Sequence, residues 1–315
     1  MAPNATDCAS VRVVLVPNRG RLGNAMFQYA VCRAIAWRGG ACFSAGKTRL
    51  CKSFPALGAE CGGAPRRTRL RLPQPQTWWT SDDVKPAGKL VRRHINATDA
   101  DLQCVGYREA YETFEPYADR IRATFQWDAA IASEAVALWQ SRVVSHAAGN
   151  RTKYVALYHR KALDSVEYQK CLPTRDFYAA ARRTFVEIFA PSPVIFVSSD
   201  YEFKDRAAVD DLFGAGVVTL DHADAAVVMA ALSTADGATF SFGSFSWWIA
   251  FLSNGPVLYD AKLADAKKLR ETSCDFWLSR ANHGAAEAVN ISNFAAAHFP
   301  TAWRPIENLP IQTSR

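Results

Sequence analysis

Pro193 to Tyr259 reads PVIFVSSDYEFKDRAAVDDLFGAGVVTLDHADAAVVMAALSTADGATFSFGSFSWWIAFLSNGPVLY. Short apolar runs alternate here with segments of helical spacing. Pro193–Ser198, Val217–Leu220, Ala238–Phe242 and Val257–Tyr259 read as strands. Tyr201–Leu212, Ala223–Leu232 and Phe245–Leu252 read as the helices between them. Strands separated by helices predict a parallel, doubly wound α/β sheet. Ligands of such sheets sit at the carboxyl ends of the strands.

Working outward, Tyr154–Tyr158 adds a strand and Arg175–Phe189 a helix ahead of that stretch. Ala147–Lys153 (AAGNRTK) is polar and marks the expected boundary between residues 1–150 and residues 151–290, with 291–315 as a tail expected to pack back on the first domain. The first half opens strand–loop–helix: Val11–Val16, then Pro17–Gly20, then Ala25–Trp37, where Met26, Tyr29, Ala30, Arg33 and Ala34 recur at helical spacing. Residues 40–100 are rich in Pro, Gly, Arg and Thr and give no ordered set of elements. Gly106–Phe114, Pro116–Phe125 and Asp128–Ser145 read as helices.

The chain has 315 residues, 49% hydrophobic and 21% charged, which is enough for two domains and a large core. No apolar run approaches the roughly eighteen residues of a membrane span. Its net charge is +7, with arginines grouped at 66, 67, 69 and 71 and at 92 and 93. No nucleic-acid module accompanies that charge, so a solvated basic face or a basic cleft for an anionic donor is preferred to a nucleic-acid groove. Eight cysteines include no C-x-x-C pair, which argues against zinc and is consistent with disulfides. Sequons at Asn4, Asn96, Asn150 and Asn290 point to a secretory compartment. Met1–Ser10 lacks the charge and apolar core of a signal peptide, so an anchor absent from this chain is expected.

Two places carry ligand chemistry. Gly20-Arg21-Leu22-Gly23-Asn24 puts two glycines between the first strand and helix, where backbone can approach a ligand and a helix N-terminus favours negative charge. An ordinary strand-to-helix turn is the bland reading. The second is the end of the Tyr154–Tyr158 strand, Tyr158-His159-Arg160-Lys161-Ala162-Leu163-Asp164. A guanidinium there makes two parallel bonds to phosphate oxygens, where Lys acts only as a point charge. Ser198-Ser199-Asp200 ends another strand, and Asp200 reads equally as a nucleotide contact or as an N-cap. Ser244 and Phe245 start a helix whose N-terminus suits phosphate, although Trp247, Trp248 and Phe251 read as core. Asp99 and Asp101 form a D-x-D that reads as a polar loop rather than a metal site. Ala45-Gly46-Lys47-Thr48 lacks the first glycine of a P-loop.

Gly20–Ala30 (GRLGNAMFQYA) resembles the opening motif of the α-1,2-fucosyltransferases of glycosyltransferase family 11, with Ala25 in place of the usual Gln. Gly106-Tyr107, Tyr111 and Phe114, then Ile121, Arg122 and Phe125, are similar to later segments of that family. Ser244–Leu252 (SFSWWIAFL) resembles its S-F-x-W-W-x-A-x-L, and His298-Phe299-Pro300 with Trp303 its C-terminal motif. Residues 158–164 depart from the family's H-x-R-R-G-D. One register gives Arg160 the place of the first Arg and Tyr158 that of the His; the other aligns His159 and Asp164 and leaves Lys161 for the Arg. The first keeps the guanidinium and is preferred.

The resemblance implies a GT-B fold of two Rossmann-like domains facing a cleft, an acceptor domain first and a GDP-fucose domain second. It implies inverting transfer of L-fucose from GDP-fucose to the 2-hydroxyl of a galactose-containing glycan, without metal, in the Golgi lumen or secretory pathway. Arg160 and Asn24 are the expected catalytic groups. Gly20, Gly23, Asn24, His159, Arg160, Lys161, Asp200, Ser244 and Phe245 are the expected donor contacts. Glu109, Asp164 and Asp200 are carboxylates near these places, and none is singled out as the general base. A transferase of another linkage and a catalytically silent glycan- or nucleotide-sugar-binding relative are the alternatives.

Overall fold

The computed structural model describes residues 12–15, 21–45, 48, 50–61, 69–71, 101–104, 111–146, 151–160, 171–199, 206–220, 222–253, 255–264 and 299–307. Two compact units divide the chain between Asp128 and Ala129, and the second takes up the chain again from Thr301.

In the first unit, β1 (Arg12–Leu15) feeds α1 (Leu22–Gly39), which returns to β2 (Cys42–Ser44). After α2 (Leu50–Ser53) and a 3-10 turn at Pro55–Glu60 come β3 (Arg69–Arg71) and β4 (Asp101–Cys104). The strand order is β2-β1-β4-β3, and every pairing is parallel. Val13 lies opposite both Phe43 and Leu102. Asp101 of the D-x-D therefore opens a strand that is paired on both sides, correcting the loop reading. Helix α1 begins three residues before Ala25, so Gly23 and Asn24 lie within its first turn and not in a loop.

Most of α1 is buried, including Met26, Phe27, Tyr29, Ala30, Val31 and Ile35, which suits a helix covered on several sides. Two links fasten it. The Cys32–Cys104 disulfide joins its middle to the end of β4. On another face, Tyr29 Oη donates to Glu60 Oε2 at 2.7 Å and Arg33 pairs with Glu60 Oε1 at 2.7 Å. Burial pushes the Glu60 carboxyl up, against the charge of Arg33. Three short helices follow the sheet: α3 (Tyr111–Phe114), α4 (Ala118–Thr124) and α5 (Ala129–Arg142), the last already in the second unit.

The second unit holds a six-stranded sheet of β5 (Lys153–Ala156), β6 (Val194–Ser199), β7 (Val218–Leu220), β8 (Gly237–Phe240), β9 (Val257–Asp260) and β10 (Arg304–Ile306). The order is β10-β9-β8-β5-β6-β7, parallel throughout. Between strands run α6 (Arg175–Phe189), α7 (Arg206–Phe213), α8 (Ala225–Leu232) and α9 (Ser244–Ser253).

Phe177, Tyr178, Ala181 and Phe185 form the buried stripe of α6 and pack with Val155, Leu157, Phe196 and Phe213. The closeness of that packing explains Gly237: a Cβ there would lie 2.9 Å from Phe185 Cε1. Helix α8 is buried almost throughout because the sheet covers one side and α5 the other. Asp224 caps it, its carboxylate accepting from Ala226 N–H at 2.7 Å. That α5–α8 packing is why the units divide at 128 and not at the polar stretch near 150, which lies inside the second unit. The tail divides between the units: Phe299 and Pro300 group with the first, and Thr301–Glu307 with the second. Arg304–Ile306 pairs with β9, and Trp303 packs 5.3 Å from Trp247 and 5.9 Å from Phe240.

Candidate functional site

The second sheet starts in its middle. From β5 the chain moves outward through β6 to β7, then crosses back to β8, β9 and β10 on the other side. The carboxyl ends of the adjacent strands β5 and β8 therefore lead to connections that diverge. That switch point opens a crevice, the usual ligand position in such sheets. Its two exits are Leu157–Arg160 and Ser241–Ser244.

Successive side chains of the first exit go to different neighbours, as extended backbone requires. The Tyr158 ring packs on Phe245 with centroids 5.1 Å apart. His159 turns to the helices behind the sheet: Nδ1 lies 3.1 Å from Tyr178 Oη, and its ring packs on Tyr178 and Phe213. Burial, with a smaller contribution from the Lys262 charge, lowers His159 to about 4, so its ring is neutral at pH 7. Arg160 returns to the side of α9. A Cβ built on Gly243 would lie 2.9 Å from Arg160 Nη1 and 3.6 Å from its Cδ. The arginine side chain thus lies along the turn between β8 and α9.

Gly243 is required there twice over. Its φ is +85°, in the left-handed region, and a Cβ would press against the guanidinium and displace it. Its carbonyl accepts from Trp247 N–H at 3.2 Å, the first helical bond of α9, so Ser244 and Phe245 are the first two helical residues. Ser246 Oγ, fully buried, accepts from Ser241 N–H at 2.9 Å and holds the turn closed. A guanidinium and the positive end of a ten-residue helix meet at one switch point, an arrangement suited to a phosphate-bearing ligand.

Other residues at this edge are tied into the fold. Lys262 Nζ, on the turn after β9, donates to Leu172 O at 2.7 Å and lies 3.5 Å from Asp260 Oδ2. Asp260 also accepts from Lys262 N–H at 3.0 Å.

Of the residues expected from sequence, Arg160, Ser244 and Phe245 come together, while His159 sits beside them on the core side of the exit. Gly23 and Asn24 belong to the first unit, at the start of the helix that follows its central strand. Gly23 is buried and Asn24 half-buried. Gly20, Lys161 and Asp200 lie outside the described residues, as do Glu109 and Asp164. Among the described residues, no cluster of three or more His, Cys, Asp or Glu side chains is arranged to hold a metal ion. Sequence reasoning passed over Gly243 and Tyr178. The strand-to-helix step at Phe242-Gly243-Ser244 was a usable signal for the first, whereas Tyr178 looks like any aromatic on a core-facing stripe.

No family model matches the sequence, and no curated protein matches it. Solved structures do. POFUT1 in complex with GDP is similar at 11% identity over 79% of this chain and 98% of that chain, with a TM-score of 0.50. A mutant of Arabidopsis thaliana FUT1 in complex with GDP is similar at 12% identity over 81% of this chain and 72% of that chain, with a TM-score of 0.52. At such identities the likeness speaks for architecture: the chain has the α/β, GT-B-like fold of these neighbours.

Proposed function

We propose that this protein is an inverting fucosyltransferase that moves L-fucose from GDP-fucose onto a galactose-type hydroxyl in α-1,2 linkage. The observation that carries the reading is the Arg160 side chain laid along the Gly243 turn at the start of α9. The GDP complexes of the structural neighbours are further support.

In the reaction, the bond between fucose C1 and the β-phosphate oxygen breaks, and its electron pair stays on the diphosphate. The acceptor oxygen bonds C1 from the opposite face and gives its proton to a general base. The transition state gathers negative charge on the leaving diphosphate. A fixed guanidinium and a helix N-terminus stabilise that charge without rearranging. Arg160 takes this role, with Ser244 and Phe245 supplying the helix end and no metal required. His159, neutral and bound to Tyr178, supports the exit from behind. Asn24 orients donor or acceptor through its amide, with the first unit on the acceptor side. The disulfides and sequons support a place in the secretory pathway, in the Golgi lumen.

A silent GDP-binding relative is the second reading. Tyr158, packed on Phe245 where the preferred register calls for His, favours it. Incubation with GDP-fucose, a β-galactoside and EDTA separates the two. Acceptor-dependent GDP release, with an α-1,2-linked product by NMR, supports the transferase. GDP binding with no release across a panel of sugars supports the silent relative. An active enzyme giving another linkage corrects the acceptor assignment alone.

A further inference from the structure

A buried phenol joins the first exit of the site to the helix behind the sheet. Tyr178 of α6 is fully buried and its ring packs 4.6 Å from Phe213. Leu157 N–H still donates to Val197 O at 2.7 Å, extending the sheet ladder beyond β5. One residue on, Tyr178 Oη donates a hydrogen bond to the Tyr158 carbonyl at 3.0 Å. The phenol oxygen also lies 3.1 Å from His159 Nδ1. A phenol has one proton to give. With that proton directed to the Tyr158 carbonyl, the phenol oxygen accepts from His159 Nδ1–H. The bond requires the His159 tautomer with its proton on Nδ1. One hydroxyl thereby holds two consecutive residues, one by main chain and one by ring, and the next residue is Arg160.

We propose that Tyr178 is a positioning residue for the donor: its hydroxyl fixes Tyr158 and His159 so that the Arg160 guanidinium stays laid along the Gly243 turn. The inference rests on the reading that Arg160 grips the diphosphate. A tyrosine that merely filled the core would be replaced by Phe without consequence for ligand, since the ring contacts with Phe177, Phe213 and His159 would remain.

The test is calorimetric titration of GDP into wild type, Tyr178→Phe, Arg160→Ala and the double variant, with thermal unfolding of each. Loss of one positioning hydrogen bond is expected to weaken GDP binding about tenfold in Tyr178→Phe, with cooperative unfolding retained. The double variant is expected to bind no more weakly than Arg160→Ala, because the hydroxyl acts through that arginine. Tyr178→4-aminophenylalanine, which keeps a donor at the ring tip, is expected to restore most of the affinity. Unchanged affinity in Tyr178→Phe overturns the inference, as does full additivity with Arg160→Ala. A Tyr178→Phe protein without a cooperative transition also overturns it, since the hydroxyl is then a fold determinant. Failure of wild type to bind GDP sinks the donor reading itself, whereas wild-type binding with an indifferent Tyr178→Phe sinks only this step.

Discussion

At the residue scale, the site depends on one guanidinium and one glycine that touch. Arg160→Lys keeps the positive charge but loses the planar fork that grips two phosphate oxygens. It is expected to bind GDP more weakly than wild type and more tightly than Arg160→Ala in the same titration. Gly243→Ala acts from the other side of that contact. It places a methyl group 2.9 Å from Arg160 Nη1, so that the guanidinium must shift, and forces a non-glycine residue to a φ of +85°. The backbone strain alone costs about 1–2 kcal/mol. A drop in both the unfolding midpoint and GDP affinity is expected; a loss of stability with unchanged GDP affinity would show that Arg160 has no part in the grip.

At the element scale, α6 and the exit after β5 form one electrostatic unit. His159 titrates near 4 in the folded protein, mainly through burial, against about 6.5 when exposed. Above pH 6.5 the ring is neutral in both states and folding is unaffected. As pH falls from 6.5 toward 4 the unfolded chain takes up a proton that the folded chain refuses, so stability falls through that window and the loss levels off below it. The loss amounts to about 3 kcal/mol. Urea unfolding at pH 7, 5.5 and 4.5 measures it, and a His159→Gln variant is expected to show a shallower slope. Equal slopes in the two proteins would place the titrating group elsewhere.

Legibility also varied by element. The repeat of Phe177, Ala181 and Phe185 at helical spacing predicts α6 to both its ends. Strands β6 to β9 were found within a residue or two because apolar runs bounded by turns mark them. Strands β2, β3 and β10 span three residues each, as β7 does, but no apolar run between turns marks them as Val217–Leu220 marks β7. They exist through pairing with longer-range partners, which local sequence does not encode. The site divides in the same way. Arg160 and Ser244 stand out by their positions at strand and helix ends, whereas the approach of Arg160 to the Gly243 turn depends on two strands distant in sequence lying side by side.

At the scale of the whole molecule, two α/β units each place expected site residues where a central strand gives way to a helix. A polar stretch marks a boundary near 150, whereas apolar packing of α5 on α8 sets the division at Asp128. Covalent links reinforce the packing. Cys32–Cys104 closes a separation of 72 residues, and Cys42 and Cys171 are also disulfide-bonded. In the chain-entropy account such a link contributes about 4 kcal/mol. Cys32→Ser/Cys104→Ser is therefore expected to unfold at clearly lower urea than wild type; an unchanged midpoint would show that packing and the Glu60 link hold α1 without the disulfide. The central claim is that Arg160, at the β5–β8 switch point, holds the diphosphate of GDP-fucose. Titration of GDP-fucose in EDTA into wild type, Arg160→Ala and a control, Arg175→Ala, tests it most directly. Arg175 is a surface residue paired with Asp211 on the helices behind the sheet. The account predicts metal-free binding that Arg175→Ala retains and Arg160→Ala weakens by about a hundredfold, the scale of one lost charged phosphate contact. Equal affinity in all three proteins, or binding that disappears with EDTA, would contradict it.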